Sequence, residues 1–553
     1  MLDFGSGVFD GNARWLEVGV RTNGNGSFVT LAPRQALAAT PYAQYAPSAG
    51  AAAQASAVTA GAITTSMLAN GAVTSSKIGA AAVKPSNIDD GGNAIYQGFL
   101  NSASSMDSTA PLPYRMLSLV SSNSGAAPSF SFTLDAGAFG TVVSFTGHEG
   151  MSEPYAYVVE ALAAPGLLDP NAQMGRQGRL SFGRNGRTTA FAGLVTGCSV
   201  SSYDGTNDCY TFRLESPLAY LALNSDYRIY QQQSIPDVVA SLYQGLTAYP
   251  LVNSLNGTYA PTANTIQYAE TALNFFRRQL ESEGIFCFFN LDGTPPSLNL
   301  ADSPSAYPAG NVTTFLYYGD TSTNIPAGAE FIRSFQKAER QSTKVSLLNA
   351  YDFTKPQTDL TQMASSSDGL GQGTNYQFDA TIFDISMVRA HVRAQQARQD
   401  LERSTYFGTA NGPDLRAGYT FTLTDQTGSS LGKTYLVTSV QHAAFRRTTN
   451  GVASFYYGNQ FEVIPSTMAF RPATKTPKPV ALPCMANVTG PTGEEIYVDK
   501  YGRVKVQFRW DRYGANDESS SAWLRVASPW AGQGRGMLFL PRIGDEVMVE
   551  FVQ

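Results

Sequence analysis

Strict alternation of apolar and polar positions marks the end of the chain. From Arg503 to Trp510, Val504, Val506, Phe508 and Trp510 fall on one face, and Arg503, Lys505, Gln507 and Arg509 on the other. Period two with one apolar face predicts a half-buried strand. Residues 546–551 repeat the pattern, with Val547, Val549 and Phe551 inward and Glu546, Met548 and Glu550 outward. Four or five such strands between Gly- and Pro-marked turns suggest a small closed barrel. Similar strand-like runs occur at 130–134, 142–150, 152–160, 178–182, 189–195, 210–218, 221–231, 415–424 and 435–442. The fold class they predict is mainly β, with barrel-like domains and a few inserted helices.

Three stretches shift to helical period. Ser234 can cap a helix whose apolar stripe is Ile235, Val238, Val239, Leu242 and Leu246, with Asp237 approximating a capping box. Residues 269–283 carry Ala269, Leu273, Phe276 and Leu280 on one face, and Gly284 is their stop signal. Residues 387–403 form a third helix with Arg389, Arg393, Arg398 and Arg403 on a mostly polar surface. Near the start, residues 15–20 and 28–31 read as two strands around the turn Asn23-Gly24-Asn25-Gly26. Val58, Ile63, Leu68, Val73, Ile78, Val83 and Ile88 then recur every five residues among Ala, Gly, Ser and Thr. So sparse an apolar series cannot build a core within one chain. It is either a flexible linker or a fibre shaft in which three copies bury a thin seam. The resulting division is 1–50, an N-terminal module; 51–110, shaft or linker; 111–340, a first barrel region with helices; 341–475, a second barrel region; and 476–553, the small terminal barrel.

Composition narrows the function. Charged residues make up 15% of 553, below the roughly 25% of average proteins, which suits surfaces buried in an assembly. A net charge of −5 supplies no field to attract nucleic acid. The basic face of Arg503, Lys505 and Arg509 is interleaved with Asp499 and Asp511, and reads as solvated or subunit-facing. Cys198 and Cys209 flank a hairpin loop, so either a cross-strand disulfide or two free thiols fits; a reducing compartment would favour the thiols. The start lacks a basic and apolar leader, and no run of about 18 apolar residues occurs. His148, His391 and His442 show no zinc-ligand spacing, and no nucleophile-elbow, P-loop or dinucleotide glycine pattern is present. The paired carboxylates Glu281/Glu283 and Glu494/Glu495 sit where solvated acids are ordinary. The expectation is a protein without catalytic, cofactor or metal residues.

The terminal segment resembles the oligonucleotide/oligosaccharide-binding (OB) barrel of the VgrG family, the spike proteins of type VI secretion and related phage tail hubs. The residues that carry the resemblance are Asp499, Tyr501, Gly502, Arg503 and Val504; Trp523 and Arg525; Pro529 and Trp530; and Pro541, Arg542, Gly544 and Glu546. It continues upstream through Gly147-His148-Glu149-Gly150, Tyr210–Leu218, Asn274–Phe289 and Leu300–Ser305, spanning roughly 129–553. Residues 33–43 resemble a short module found ahead of tail-fibre-like and adhesin-like repeats.

The resemblance implies a structural homotrimer that caps a hexameric tail tube, contacts baseplate proteins and pierces a target membrane mechanically. Each chain would contribute two tube-like barrels and an OB neck. A separate needle tip or effector is a further implied partner. Assembly would take place in the cytoplasm, with expulsion to the extracellular space or a target cell. Two departures stand out: the first 110 or so residues are an addition to the family pattern, and the sequence ends at Phe551-Val552-Gln553, where the family continues into a last strand and a β-helical needle. A fibre-type surface-binding protein and a spike carrying peptidoglycan hydrolase activity are the competing readings.

Overall fold

The computed structural model describes residues 129–551, apart from 136, 185, 292, 294, 320–324, 327, 426–432 and 450–451, together with 15–16, 19–21, 26–30 and 35–36. Two units are distinguished, Met1–Thr109 and Ala110–Gln553. In the first, Gly19–Val20 pairs antiparallel with Val29–Thr30, the hairpin expected around the Asn-Gly turn, and Trp15–Leu16 pairs with Gln35–Ala36. The period-five tract lies outside the described residues.

The second unit is built on a sheet of thirteen strands among the described residues. In chain order they are β1 (Ser129–Leu134), β2 (Gly137–Ala138), β3 (Thr141–Gly150), β4 (Ala156–Ala163), β5 (Gln177–Arg184), β6 (Arg187–Ser202) and β7 (Asp208–Glu215), then β8 (Ala309–Tyr317), β9 (Phe331–Glu339), β10 (Ser404–Ala410), β11 (Thr420–Thr424), β12 (Lys433–Thr449) and β13 (Val452–Pro465). Their spatial order is β11-β8-β9-β10-β13-β12-β3-β4-β7-β6-β5-β1-β2, and an additional β11–β12 pairing closes the first six into a ring. Closure leaves that ring without free edges. The other ring is completed by side chains: the Phe130 ring of β1 sits 4.9 Å from Phe455 of β13, and Tyr457 lies 5.1 Å from Phe182 of β5.

Alternation explains both interiors. In β4 every second residue (Tyr157, Val159, Ala161, Ala163) is buried, and β7 does the same with Tyr210, Phe212 and Leu214. These pack with Phe132, Phe145, Phe182 and Phe191 in the larger core. The closed ring is filled by Phe315, Ile332, Phe421, Leu423, Tyr435, Val440, Phe461 and Val463. Each such side chain contributes about 1.5–3 kcal/mol on burial. Because β8 and β9 belong to the closed ring, strand pairing does not follow the division expected near 340.

Helices α1 (Leu218–Ala222), α2 (Ile235–Leu246), α3 (Ala272–Glu283) and α4 (Ile385–Arg403) complete the body. Ser234 caps α2 by accepting from Asp237 N, as its sequence predicts. α3 begins three residues later than expected, because the strand Thr262–Thr271 runs through Ala269 and Thr271 provides the cap. Gly284 ends it in the left-handed conformation at φ 70°. α1 was not expected; it occupies Leu221, read from sequence as the start of a strand that forms only at Ser225–Gln233. α2 and α3 bury Val238, Val239, Phe275, Phe276 and Leu280 against the larger core. α4 covers one face of a three-stranded sheet, Val345–Ala350 between Gln362–Ser365 and Thr374–Asp379.

Cys198 and Cys209 are both free thiols. They lie on the paired strands β6 and β7, but the register sets Cys209 opposite Ser201 and Cys198 opposite Phe212. Three residues of offset, about 10 Å of strand, prevent the cross-strand disulfide considered from sequence.

The terminal segment forms a sheet in the order Lys505–Phe508, Cys484–Thr489, Glu546–Val549. Val504, Val506 and Phe508 are buried, as the alternation predicts. Between Trp523 and Arg525, strand pairing is limited to a single bridge between Leu524 and Val504.

Candidate functional site at the barrel junction and the neck

The two rings share one hairpin. The first part of β12 pairs with β11 (Leu436 opposite Thr420), and from Ser439 to Phe445 it pairs with β3. Thr438 is the crossover, a bulge between Val437 and Ser439. Its carbonyl accepts from Met151 N at 2.9 Å, and its hydroxyl donates to Glu462 O at 3.1 Å. A bulge strengthens local twist, which re-aims the strand as it leaves one ring for the other.

A buried charge cluster fills this junction. Glu149, near the end of β3, accepts from Tyr157 Oη at 2.7 Å, Arg416 Nε at 3.2 Å and Ala417 N at 3.2 Å. Arg416 also donates to Ala190 O, and its guanidinium lies 4.8 Å from the centre of the Phe191 ring. His442 Nε2 stands 3.4 Å from Glu149 Oε1 without aligned hydrogen-bond geometry, while its Nδ1 is 2.6 Å from Tyr457 Oη. Asn459 bridges Tyr457 Oη and Gly412 O. Burial alone would raise the Glu149 pKa; Arg416, aided by His442 and Tyr157, outweighs it and lowers the value to about 2. Burial lowers the pKa of His442, so neutral imidazole is favoured.

A second ionic tie crosses the rings at the β5–β6 turn. Arg187 meets Glu330 at 2.8 Å and Asp414 at 3.5 Å, and Thr189 Oγ1 donates to Asp414 Oδ1 at 2.6 Å. Arg184 donates to Asn411 O and Ala329 O. These contacts tie the two barrels into one body.

The neck motif residues have separable roles. Asp499 accepts from Tyr501 N, Arg503 N and Arg503 Nε at 2.8–2.9 Å, and Gly502 takes φ 68°, so 499–503 form one tight turn. Arg503 and Arg525 both stand over the Phe353 ring, at 5.4 and 5.1 Å. Trp523 packs 4.9 Å from Tyr497, and Val504 exchanges hydrogen bonds with Leu524. Arg542 pairs with Glu495, Glu546 with Arg509, and Gly544 adopts φ 96°. Pro541 is half-buried, whereas Pro529 and Trp530 are exposed on a hairpin away from the others.

Body and neck meet through rings. Trp510 lies 5.6 Å from Tyr227 and 5.7 Å from Tyr268, and Phe551 lies 5.9 Å from Tyr268. Asp226 accepts from Arg512 at 2.8 Å and Tyr513 Oη at 2.6 Å, and Gln231 donates to Ser519 O. In the sequence Glu149 and Arg416 appear only as parts of strand-like motifs, and His442 only as a histidine without zinc-ligand spacing. Nothing in spacing signals a contact between segments so far apart.

The family model for the phage tail baseplate hub (GPD) matches residues 148–448, and that for the type VI secretion system/phage-baseplate injector OB domain matches 495–553. Two Pseudomonas aeruginosa proteins, the type VI secretion system spike proteins VgrG1b and VgrG4b, are 30% and 31% identical to the chain over 419 and 433 residues. Each alignment covers 74% of this chain and 56% or 53% of the relative, so the chain spans about half the length of these curated relatives. The solved E. coli c3393 protein, described as a type VI secretion component similar to the T4 tail proteins gp27 and gp5, matches with a TM-score of 0.53 at 20% identity; 77% of this chain and 96% of that one are covered. The hub match takes in the Glu149–Arg416 junction, the shared hairpin up to Thr448 and more than half of the sequence, and an injector OB match follows it through the neck; the chain therefore belongs to the phage tail baseplate hub family, among its VgrG-type spike proteins.

Proposed function

We propose that this chain is the structural spike hub of a contractile, type VI secretion-like injection machine. Three copies assemble so that their paired rings form a six-membered collar, which matches the end of a hexameric tail tube and docks on the baseplate. The necks gather below the collar and lead towards a needle or a separate tip and effector. Work comes from sheath contraction; the protein contributes stiffness and a docking face, is built in the cytoplasm and is then expelled through a target envelope.

The observation that carries this reading is the shared hairpin β12–β13. One long pair of strands walls both rings, with a bulge at Thr438 where it passes between them, and the buried Glu149–Arg416 pair locks the junction. Such a body transmits axial load without a hinge. Mass measurement of the full chain in solution tests the proposal: a trimer is expected at micromolar concentration, and a persistent monomer would overturn it.

A further inference from the structure

The neck is seated on an irregularity in the body. Strand Ser225–Gln233 pairs antiparallel with Thr262–Thr271, and the register slips between Asp226, opposite Glu270, and Arg228, opposite Gln267. Tyr227 alone therefore faces two residues, Tyr268 and Ala269, which is a β-bulge. Ala269 takes φ 50° there, a conformation that a residue with a Cβ disfavours. Strain of this kind persists only where the surroundings enforce it. The rings of Tyr227 and Tyr268 sit 5.1 Å apart, edge to face, and both contact Trp510 of the neck.

Helix α3 enforces the bulge from behind. Arg278 Nε donates to the carboxylate of Glu270 at 3.0 and 2.9 Å, and its Nη2 donates to Ile266 O at 2.7 Å, so one guanidinium spans the bulge. Gln267, itself buried, donates to Glu270 O at 3.1 Å. Three residues further along α3, the buried Glu281 holds a different segment. It accepts from Lys475 N at 3.1 Å, Thr476 N at 2.9 Å and Thr476 Oγ1 at 2.7 Å. These residues belong to the strap that leads from Pro465, the end of β13, to Cys484, where the neck sheet begins. Arg471 of the strap donates to Gly284 O and Asp302 O, and Tyr307 Oη donates to Met468 O and accepts from Phe470 N. Beyond Thr476 the strap continues through Pro477, Pro479 and Pro483, with Val480 and Leu482 largely exposed.

We propose that α3 is the mount of the neck: Arg278 holds the bulge that presents Tyr227 and Tyr268 to Trp510, and Glu281 latches the strap that leads into the neck. Residues three apart are neighbours on a helix surface, and this helix is fixed by Phe275, Phe276 and Leu280 in the larger core. A socket alone would let the neck rock, and a tether alone would let it swing. Latching at Thr476 leaves roughly seven residues of tether in place of roughly eighteen, which raises the effective concentration of the neck at its socket about fourfold. The mount belongs to one chain and stands whether or not three copies assemble. Only its use, keeping neck and collar in line under load, rests on the reading above.

Trypsin tests both halves. The Lys475–Thr476 bond is a trypsin site whose amide N–H is held by Glu281, so cleavage there reports the latch. The full chain is digested briefly, unsubstituted and as E281A, T476V and E281A/E270Q/R278M, and the fragments are weighed. Cleavage after Lys475 should be at least tenfold faster in E281A and about fivefold faster in T476V. T476V alters only the strap, so it reports the latch even if E281A disturbs α3. Gel filtration of nicked E281A should keep 476–553 with the body, held by the socket, whereas the nicked triple variant should shed it. E281A/R278K, which keeps a charge against Glu270 but cannot span the bulge, should shed it more slowly and serves if the triple variant misfolds. Equal cleavage after Lys475 in the unsubstituted protein, T476V and E281A would overturn the latch. Loss of 476–553 from nicked E281A, or equal retention with and without Arg278, would overturn the socket. Neither result bears on the trimeric reading, which the mass in solution decides.

Discussion

Glu149 and Arg416 are separated by 267 positions in the chain and by 3.2 Å between Oε1 and Nε, with both side chains buried. Removing one member of such a pair leaves the other as an uncompensated charge, at a cost of about 3–5 kcal/mol. E149Q and R416M should each lower stability by that order, and the double variant by much less than the sum. Denaturant unfolding of the four proteins measures the coupling; additive losses would show that the pair does not act as a unit.

Acid should loosen the junction in two stages. Burial lowers the pKa of His442 from its ordinary 6.5, so the unfolded chain takes up a proton there as pH falls through 6.5 while the folded protein resists. Glu149 is lowered from 4.5 to about 2 despite burial, chiefly by Arg416, and Glu153 is lowered to about 2 chiefly by its hydrogen bond with His148. Depressed carboxylates stabilise the fold above about pH 4.5, and the contribution is lost as pH falls towards 2. Unfolding free energy should therefore decline from about pH 6.5 and steepen below 4.5. In H442Q the upper stage should vanish while the lower one persists.

Gly408 sits where the closed ring has no room. A Cβ there would fall 2.3 Å from Ser334 O and 2.7 Å from the Phe461 ring. G408A should cost about 1–3 kcal/mol or more, because backbone and a packed aromatic must both shift. Thermal melting gives the answer, with G245A in α2, which meets open space, as the tolerated control.

Trp510 joins neck to body through Tyr227 and Tyr268. W510A should release the neck while the rings keep their stability. Hydrogen exchange at 505–508 and 546–549 should accelerate at least tenfold, with β12 and β13 unchanged. Replacing the largely exposed Arg512 should have little effect on the same exchange.

Because register holds Cys198 and Cys209 apart, both should react with a thiol reagent once the protein is unfolded, without prior reduction. Reducing agent should leave the melting temperature unchanged.

Local order was readable wherever one residue's neighbours decide its state. The alternation of Val504, Val506 and Phe508 located a strand, and Ser234 with Asp237 located a helix start. Misreadings fell where tertiary contact overrode the pattern. Ala269 fits a helical stripe but is held in a strand at φ 50°. Leu221 fits a strand run but is taken into the short helix Leu218–Ala222, and the strand forms only at Ser225–Gln233. Of the candidate site, Asp499, Gly502 and Arg503 were picked out only through the family resemblance; the tight turn they form emerged with the structure. The Glu149–Arg416–His442 cluster was not, since its members are ordinary residues until two distant strands and the 411–419 loop meet.

The hairpin shared by both rings also fixes an order of events in synthesis. Strands β3 to β7 leave the ribosome early, but the wall beside β3 is β12, at 433–449. The ring around the larger core therefore waits, with Phe145, Tyr157 and Phe191 uncovered, until nearly the whole body has been made. Long-range closure of this kind is slow and exposes sticky intermediates. A ribosome stalled before residue 433 should carry a nascent chain that depends on chaperones, and both barrels should become protease-resistant together, once β12 and β13 emerge.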